Sequence, residues 1–216
     1  MERINQPYVE HYLKSLIHEE DPEISQFRQI CEASQIPIIH EEVGQLIKFL
    51  IRLTGASRIL EIGTAVGFSS IFMSKIIHNP KGYITTIERN PKMVSQAIEN
   101  FKSYTCPTPI EFLQGQAEDL IEQLDQAYDI LFLDGAKSKY RLIYEKAGHL
   151  LRPGGLIIAD NVLHKGMTAT DDLVVRRQRT IVRNMREFLD YLSHDKQFET
   201  TILPMGDGVA LTWKQG

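Results

Sequence analysis

The stretch Arg58-Ile-Leu-Glu-Ile-Gly-Thr-Ala-Val-Gly-Phe-Ser69 decides the fold. A short apolar strand, Ile59 to Ile62, runs into a glycine-bearing turn, and a helical pattern starts near Phe68. Such a turn brings backbone close to a ligand at a helix N-terminus. It is not the dinucleotide pattern G-x-G-x-x-G. Gly63 and Gly67 have three residues between them, no third glycine follows, and an acid, Glu61, sits on the strand before the turn.

Working outward, the chain divides at this point. Before it, Tyr8 to Glu20, Glu23 to Ser34 and Glu41 to Thr54 carry apolar residues at mixed three- and four-residue spacing, which predicts three helices. After it, strands and helices alternate. Predicted strands are Arg58–Ile62, Tyr83–Glu88, Ile110–Gln114, Ile130–Asp134 and Leu156–Asp160, the last preceded by a Pro153-Gly154-Gly155 turn. Predicted helices are Ser69–Ile77, Lys92–Ser103, Glu118–Leu124 and Tyr140–Leu151. Alternation of this kind implies a parallel sheet covered on both faces. The tail differs: a long arginine-rich helix from Leu173 to His194, then two β-like runs, Glu199–Pro204 and Gly208–Trp213, joined as an antiparallel hairpin. The expectation is one α/β domain over residues 1–216, with a helical cap at 1–55 and a Rossmann-like core at 56–216.

Composition fits that picture. The chain has 216 residues, 43% hydrophobic and 24% charged, enough for a sizeable core. No apolar run reaches the ~18 residues that would span a membrane. The first residues, Met1 to Pro7, lack a signal-peptide stretch. Cys31 and Cys106 have no metal-type spacing, so a reduced, cytoplasmic setting is expected. The net charge of −4 gives no global basic footprint for nucleic acid.

In open α/β sheets ligands bind beyond the carboxyl ends of the strands, so polar residues there carry the chemistry. Asp134 closes one predicted strand, and Asp160 with Asn161 closes another. Singly they read as helix caps or turn residues. Together, two carboxylates and an amide oxygen without His or Cys suit a hard cation such as Mg²⁺. Lys137 follows Asp134 by three residues. A loop lysine is ordinarily a solvated charge, but beside a cation it becomes a candidate base for a hydroxyl. A metal with open positions chelates two neighbouring substrate oxygens, as in a vicinal diol or a hydroxyl beside a carbonyl.

The Glu61-to-Ser69 loop resembles motif I of S-adenosylmethionine (SAM) methyltransferases. That resemblance implies a cofactor site of Glu61, Gly63, Thr64, Gly67 and Ser69, with Glu88 on the ribose and Gly115, Gln116 and Ala117 by the adenine. Ser69 reads equally as a helix N-cap. More broadly the chain resembles the cation-dependent O-methyltransferases, the group of catechol and caffeoyl-CoA O-methyltransferases. The matching segments are Thr86-Ile-Glu-Arg89, Leu133-Asp-Gly-Ala-Lys137 and Asp160-Asn-Val-Leu163. The match implies a fold with a mostly parallel seven-stranded sheet and a C-terminal antiparallel hairpin. It also implies Mg²⁺ on Asp134, Asp160 and Asn161, Lys137 and Asp134 as catalytic residues, and SAM contacts from Ile39 and Asp134. Gln116 stands where many relatives carry an acid. A homodimer is expected by the same resemblance.

Ile36-Pro-Ile38, Asp160-Asn-Val-Leu-His-Lys-Gly166 and Pro204-Met-Gly-Asp-Gly-Val-Ala210 further resemble the bacterial tRNA 5-hydroxyuridine methyltransferases. This implies a tRNA anticodon loop as substrate, with Lys165, Arg176, Arg177 and Arg179 on its phosphates. By charge alone the arginine run reads as the solvated face of an amphipathic helix, diluted by Asp171, Asp172, Glu187 and Asp190. Only the resemblance turns the balance toward tRNA. The runner-up is a small catechol-like phenol as acceptor.

Overall fold

The computed structural model describes residues 5–18 and 21–216. Three helices come first: α1 (Pro7–Ser15), α2 (Pro22–Ala33) and α3 (Glu41–Thr54). The Asp21 carboxylate caps α2 by accepting the N–H groups of Glu23 and Ile24. Gly55, at φ 65°, ends α3 in the left-handed conformation that suits glycine.

The alternating region follows. Its elements are β1 (Arg58–Ile62), α4 (Phe68–Ile76), β2 (Tyr83–Glu88), α5 (Pro91–Ser103), β3 (Ile110–Gln114), α6 (Ala117–Leu120), β4 (Tyr128–Leu133), α7 (Tyr140–Ala147) and β5 (Leu151–Asp160). Then come α8 (Arg179–His194), β6 (Phe198–Leu203) and β7 (Val209–Lys214). The seven strands form one sheet in the order β3-β2-β1-β4-β5-β7-β6. Only the pairs made by β7 are antiparallel. The strand order reverses between β1 and β4, so a crevice opens at their carboxyl ends.

The strands are apolar on both faces because helices cover both. Leu60, Ile62, Leu131 and Leu133 pack toward Tyr140, Ile143 and Phe188 of α7 and α8. Ile59, Ile130 and Phe132 pack the other way, toward Ile47 of α3 and Phe68 and Ile71 of α4. Glu61 alternates with Leu60 and Ile62, so it too faces α4, and it is fully buried.

Some boundaries differ from expectation. The first helix stops at Ser15 and buries no residue, so no core contact extends it, and the predicted end at Glu20 lies outside the described residues. β4 starts at Tyr128 and ends at Leu133, one residue before Asp134. β5 starts at Leu151, and Pro153-Gly154-Gly155 lies inside it as a bulge rather than ahead of it: Tyr128 pairs with Leu151 and the next pair is Ile130 with Leu156. Three further predicted helices are shorter: α6 stops at Leu120 and a 3-10 turn, Ile121–Gln123, follows it. A 3-10 turn at Gly148–Leu150 follows α7, and another at Arg176–Gln178 precedes α8. No helix among the described residues is long and apolar enough to cross a membrane.

Candidate active site

The glycine turn after β1 is fixed by close backbone approach. Gly63 has φ 105°, and a Cβ there would stand 2.5 Å from the Gly135 nitrogen, in the turn after β4. The two glycines therefore let the cofactor turn and the Asp134 turn lie back to back. The Gly63 N–H donates to the Ile87 carbonyl at 2.9 Å, and Gly67, at φ 87°, starts α4.

Glu88 holds this turn from β2. Its carboxylate accepts the N–H groups of Ala65 (3.0 Å), Arg89 (2.9 Å) and Asn90 (2.8 Å). A carboxylate has about four acceptor positions, so about one remains on Glu88 for a ligand. Glu88, Gly115, Gln116 and Ala117 line one cleft with Gly63 and Gly135. The Gln116 amide oxygen accepts from Arg89 at 3.4 Å.

Glu61 does something else. Its two oxygens accept the hydroxyl protons of Ser69, Ser70 and Thr86, and none of it is exposed. Burial raises its proton affinity, opposed by those three hydroxyls. Glu61 thus stands behind the turn and does not line the cleft. Ser69 spends its hydroxyl proton on Glu61, so what it offers a ligand is its backbone N–H in the first turn of α4. Thr64 is buried too, 2.6 Å from the Thr86 hydroxyl. Ile39 is buried against the Gly44–Phe72 contact, and its carbonyl accepts from Arg28 at 2.9 Å. Arg28 carried no motif that sequence reasoning could have flagged.

Across the crevice the fold brings together Asp134, Asp160, Asn161 and Lys137. Lys137 Nζ donates to Asn161 Oδ1 at 2.5 Å. Asn161 has φ 58°, a left-handed conformation asparagine tolerates, and its N–H donates to its neighbour Asp160 at 2.6 Å. Among the described residues no group donates a hydrogen bond to the Asp134 carboxylate. Burial first, then the charge of Asp160, pushes the Asp134 carboxyl well up. Burial pushes Asp160 up to about 6, against the Asn161 N–H and the charges of Lys137 and His40. A half-buried and a buried carboxylate with so few donors fit a divalent cation, whose charge would reverse both shifts. No three His, Cys, Asp or Glu side chains form a cage among the described residues, so the donor set is two carboxylates plus the Asn161 amide.

Tyr140, which sequence reasoning missed, is fully buried at the start of α7. Its hydroxyl lies 2.9 Å from the Leu133 carbonyl and 3.1 Å from that of Asp160. Burial, then the charges of Asp134 and Asp160, keep this phenol protonated and hence a donor.

The segment leaving Asp160 carries Lys165, Arg176, Arg177 and Arg179, all exposed. It is pinned rather than loose. Arg186 donates to the Thr168 carbonyl (2.9 Å), the Met167 carbonyl (3.0 Å) and Asp171 (2.7 Å), and the Lys165 N–H donates to Asp207.

Comparison with known proteins agrees with this geometry. A family model described as O-methyltransferase matches residues 15–215. A catechol O-methyltransferase of Niastella koreensis is 30% identical, with 94% of this chain and 95% of that protein covered. The S-adenosylhomocysteine-bound methyltransferase PaMTH1 of Podospora anserina superposes with a TM-score of 0.87 at 25% identity, over 96% of this chain and 94% of that one. The O-methyltransferase TomG of Streptomyces achromogenes, in complex with SAM, superposes with a TM-score of 0.83 at 28% identity, over the whole of both chains. With a glycine turn after β1, an acid at the end of β2 and a crevice of acids beside them, the chain belongs to the O-methyltransferase family of the catechol and caffeoyl-CoA type and is a SAM-dependent O-methyltransferase.

Proposed function

We propose that this enzyme methylates the 5-hydroxyl of 5-hydroxyuridine at the wobble position of tRNA, giving 5-methoxyuridine, in the cytoplasm and with Mg²⁺. The observation that carries the reading is the basic segment leaving the Asp160 end of β5. Lys165, Arg176, Arg177 and Arg179 are exposed and, among the described residues, enter no ion pair, whereas Arg183 and Arg186 face Glu187 and Asp171. Unpaired cations beside a crevice suit phosphates.

Asp134, Asp160 and Asn161 would hold the metal. When bound, it would supply Lewis-acid chemistry that makes the acceptor hydroxyl easier to ionise. Lys137 takes the hydroxyl proton on Nζ. The oxygen attacks the sulfonium methyl in line, the C–O bond forms as the C–S bond breaks, and S-adenosylhomocysteine leaves. The Gly63 turn and Glu88 orient the donor. A homodimer belongs to the same reading: α1 buries nothing, and Tyr8, Tyr12 and Leu13 form an exposed apolar face for a second copy.

A second reading, a small catechol-like acceptor, draws on the catechol O-methyltransferase named above. Labelled SAM, offered with hydroxyuridine-containing tRNA or with catechol, separates the two. The tRNA reading expects EDTA-sensitive label on tRNA, lost when Arg176 and Arg177 are both changed to Glu. Label on catechol alone, or unaltered tRNA labelling by the double variant, would overturn it.

A further inference from the structure

The β4–β5 ladder ends at the pair Leu133–Ala159. Just past it stand Asp134 and Asp160, two acids of like charge whose backbones the ladder no longer joins. The Asp134 N–H turns the other way, to the Ile62 carbonyl of β1 at 3.0 Å. What bridges the two strand ends is the Tyr140 hydroxyl, within hydrogen-bond distance of the Leu133 carbonyl on one and the Asp160 carbonyl on the other. Its single proton is shared between two acceptors. The ring is fixed by its edge-on contact with Phe188, centroids 5.6 Å apart. The loop between, which carries Lys137, is tied at its middle by Asn184 donating to the Ser138 carbonyl at 2.8 Å.

We propose that Tyr140 is a positioning residue for the cation site: its hydroxyl supplies the rung that the sheet lacks and holds Asp134 and Asp160 at the spacing a divalent ion needs. Without the rung the carboxylates repel and the strand ends part. The cation must then draw them together, so the loss falls on metal affinity rather than on the SAM turn. The inference rests on reading Asp134, Asp160 and Asn161 as the metal ligands.

Direct binding of Mn²⁺, followed by the loss of its free-ion resonance signal, tests it in the wild type, Tyr140→Phe and Phe188→Leu. Tyr140→Phe keeps the ring and removes the rung; its Mn²⁺ dissociation constant should rise about tenfold or more. SAM affinity should stay within about twofold, and methyl transfer should recover at high metal. Phe188→Leu loosens the same packing but keeps the hydroxyl, so it should lower thermal stability and leave Mn²⁺ affinity unchanged. Equal Mn²⁺ affinity in the wild type and Tyr140→Phe would overturn the inference alone, as would an equal loss in Phe188→Leu. A wild type that binds no Mn²⁺ would overturn the metal reading beneath it. As a check that needs no variant, fluorotyrosine incorporation should shift the Tyr140 fluorine signal on Mn²⁺-free titration with Mg²⁺. An unmoved signal would count against the proposal.

Discussion

Glu61 lies on β1 and the Asp134–Asp160 pair at the ends of β4 and β5; Glu61 and Asp160 are buried and Asp134 is half-buried. Around Glu61 three hydroxyls donate to the two oxygens. Around Asp134 no donor is found among the described residues, and Asp160 has the N–H of its own neighbour. Desolvation costs the same kind of free energy in both places, but only the first is compensated inside the chain. A satisfied buried acid is architecture: it stitches β1, β2 and α4 together behind the cofactor turn. An unsatisfied pair at the mouth of a crevice is a site that completes itself with something from outside.

The contrast predicts opposite trade-offs. The largest effect is expected for Asp160→Asn. It should cost at least about a thousandfold in methyl transfer, the several kcal/mol a Lewis acid supplies. Its melting temperature should not fall, because one of two repelling charges has gone. A stability loss with activity retained would break the comparison. Next comes Gly63→Ala, which touches both regions, since the added Cβ meets Gly135. SAM and metal affinities should fall together, each about tenfold or more, with φ strain of ~1–3 kcal/mol in the fold. Calorimetric titration of both ligands checks this. Glu61→Ala should do the reverse of Asp160→Asn. Three hydroxyls lose their acceptor, at about 3 kcal/mol in total, and the melting temperature drops by roughly 10 °C for a chain of this size. Its metal affinity should hold.

The smallest effect sharpens the rule on a buried thiol, where burial outweighs the nearby charge of Arg28. Cys31 is fully buried, and burial pushes its thiol up to about 11. A raised folded pKa means the thiol costs nothing below about pH 9, where the unfolded thiol is also neutral. From about pH 9 to 11 only the unfolded chain ionises, so stability is lost at up to about 1.4 kcal/mol per pH unit. Urea unfolding at pH 8 and pH 10 should show the wild type losing about 1 kcal/mol more than Cys31→Ala. Equal losses would show that the thiol ionises in the folded state.

Much of this was legible in the sequence. The strand-turn pattern from Arg58 to Ser69 placed β1, the turn and α4 to within a residue, because apolar runs and glycine spacing are local signals. The acids at strand ends converged as expected, because the parallel topology forces strand ends to one side. What sequence could not show was who bonds whom. Glu61 reads like a ligand-facing acid until Ser69, Ser70 and Thr86 are seen around it, and all three lie on other elements, two on α4 and one on β2. Tyr140 looked like one more helical aromatic, because its role depends on two carbonyls 7 and 20 residues away. The β5 bulge was hidden for a similar reason: a Pro-Gly-Gly turn reads as a strand boundary unless Leu151 is known to pair with Tyr128.

The most direct test is calorimetric titration of Mg²⁺ into the wild type, Glu61→Gln and Asp160→Asn. The account predicts that the wild type and Glu61→Gln take up the ion with matching affinity and that Asp160→Asn does not. Uptake by Asp160→Asn equal to the wild type, or loss of uptake in Glu61→Gln alone, would contradict it.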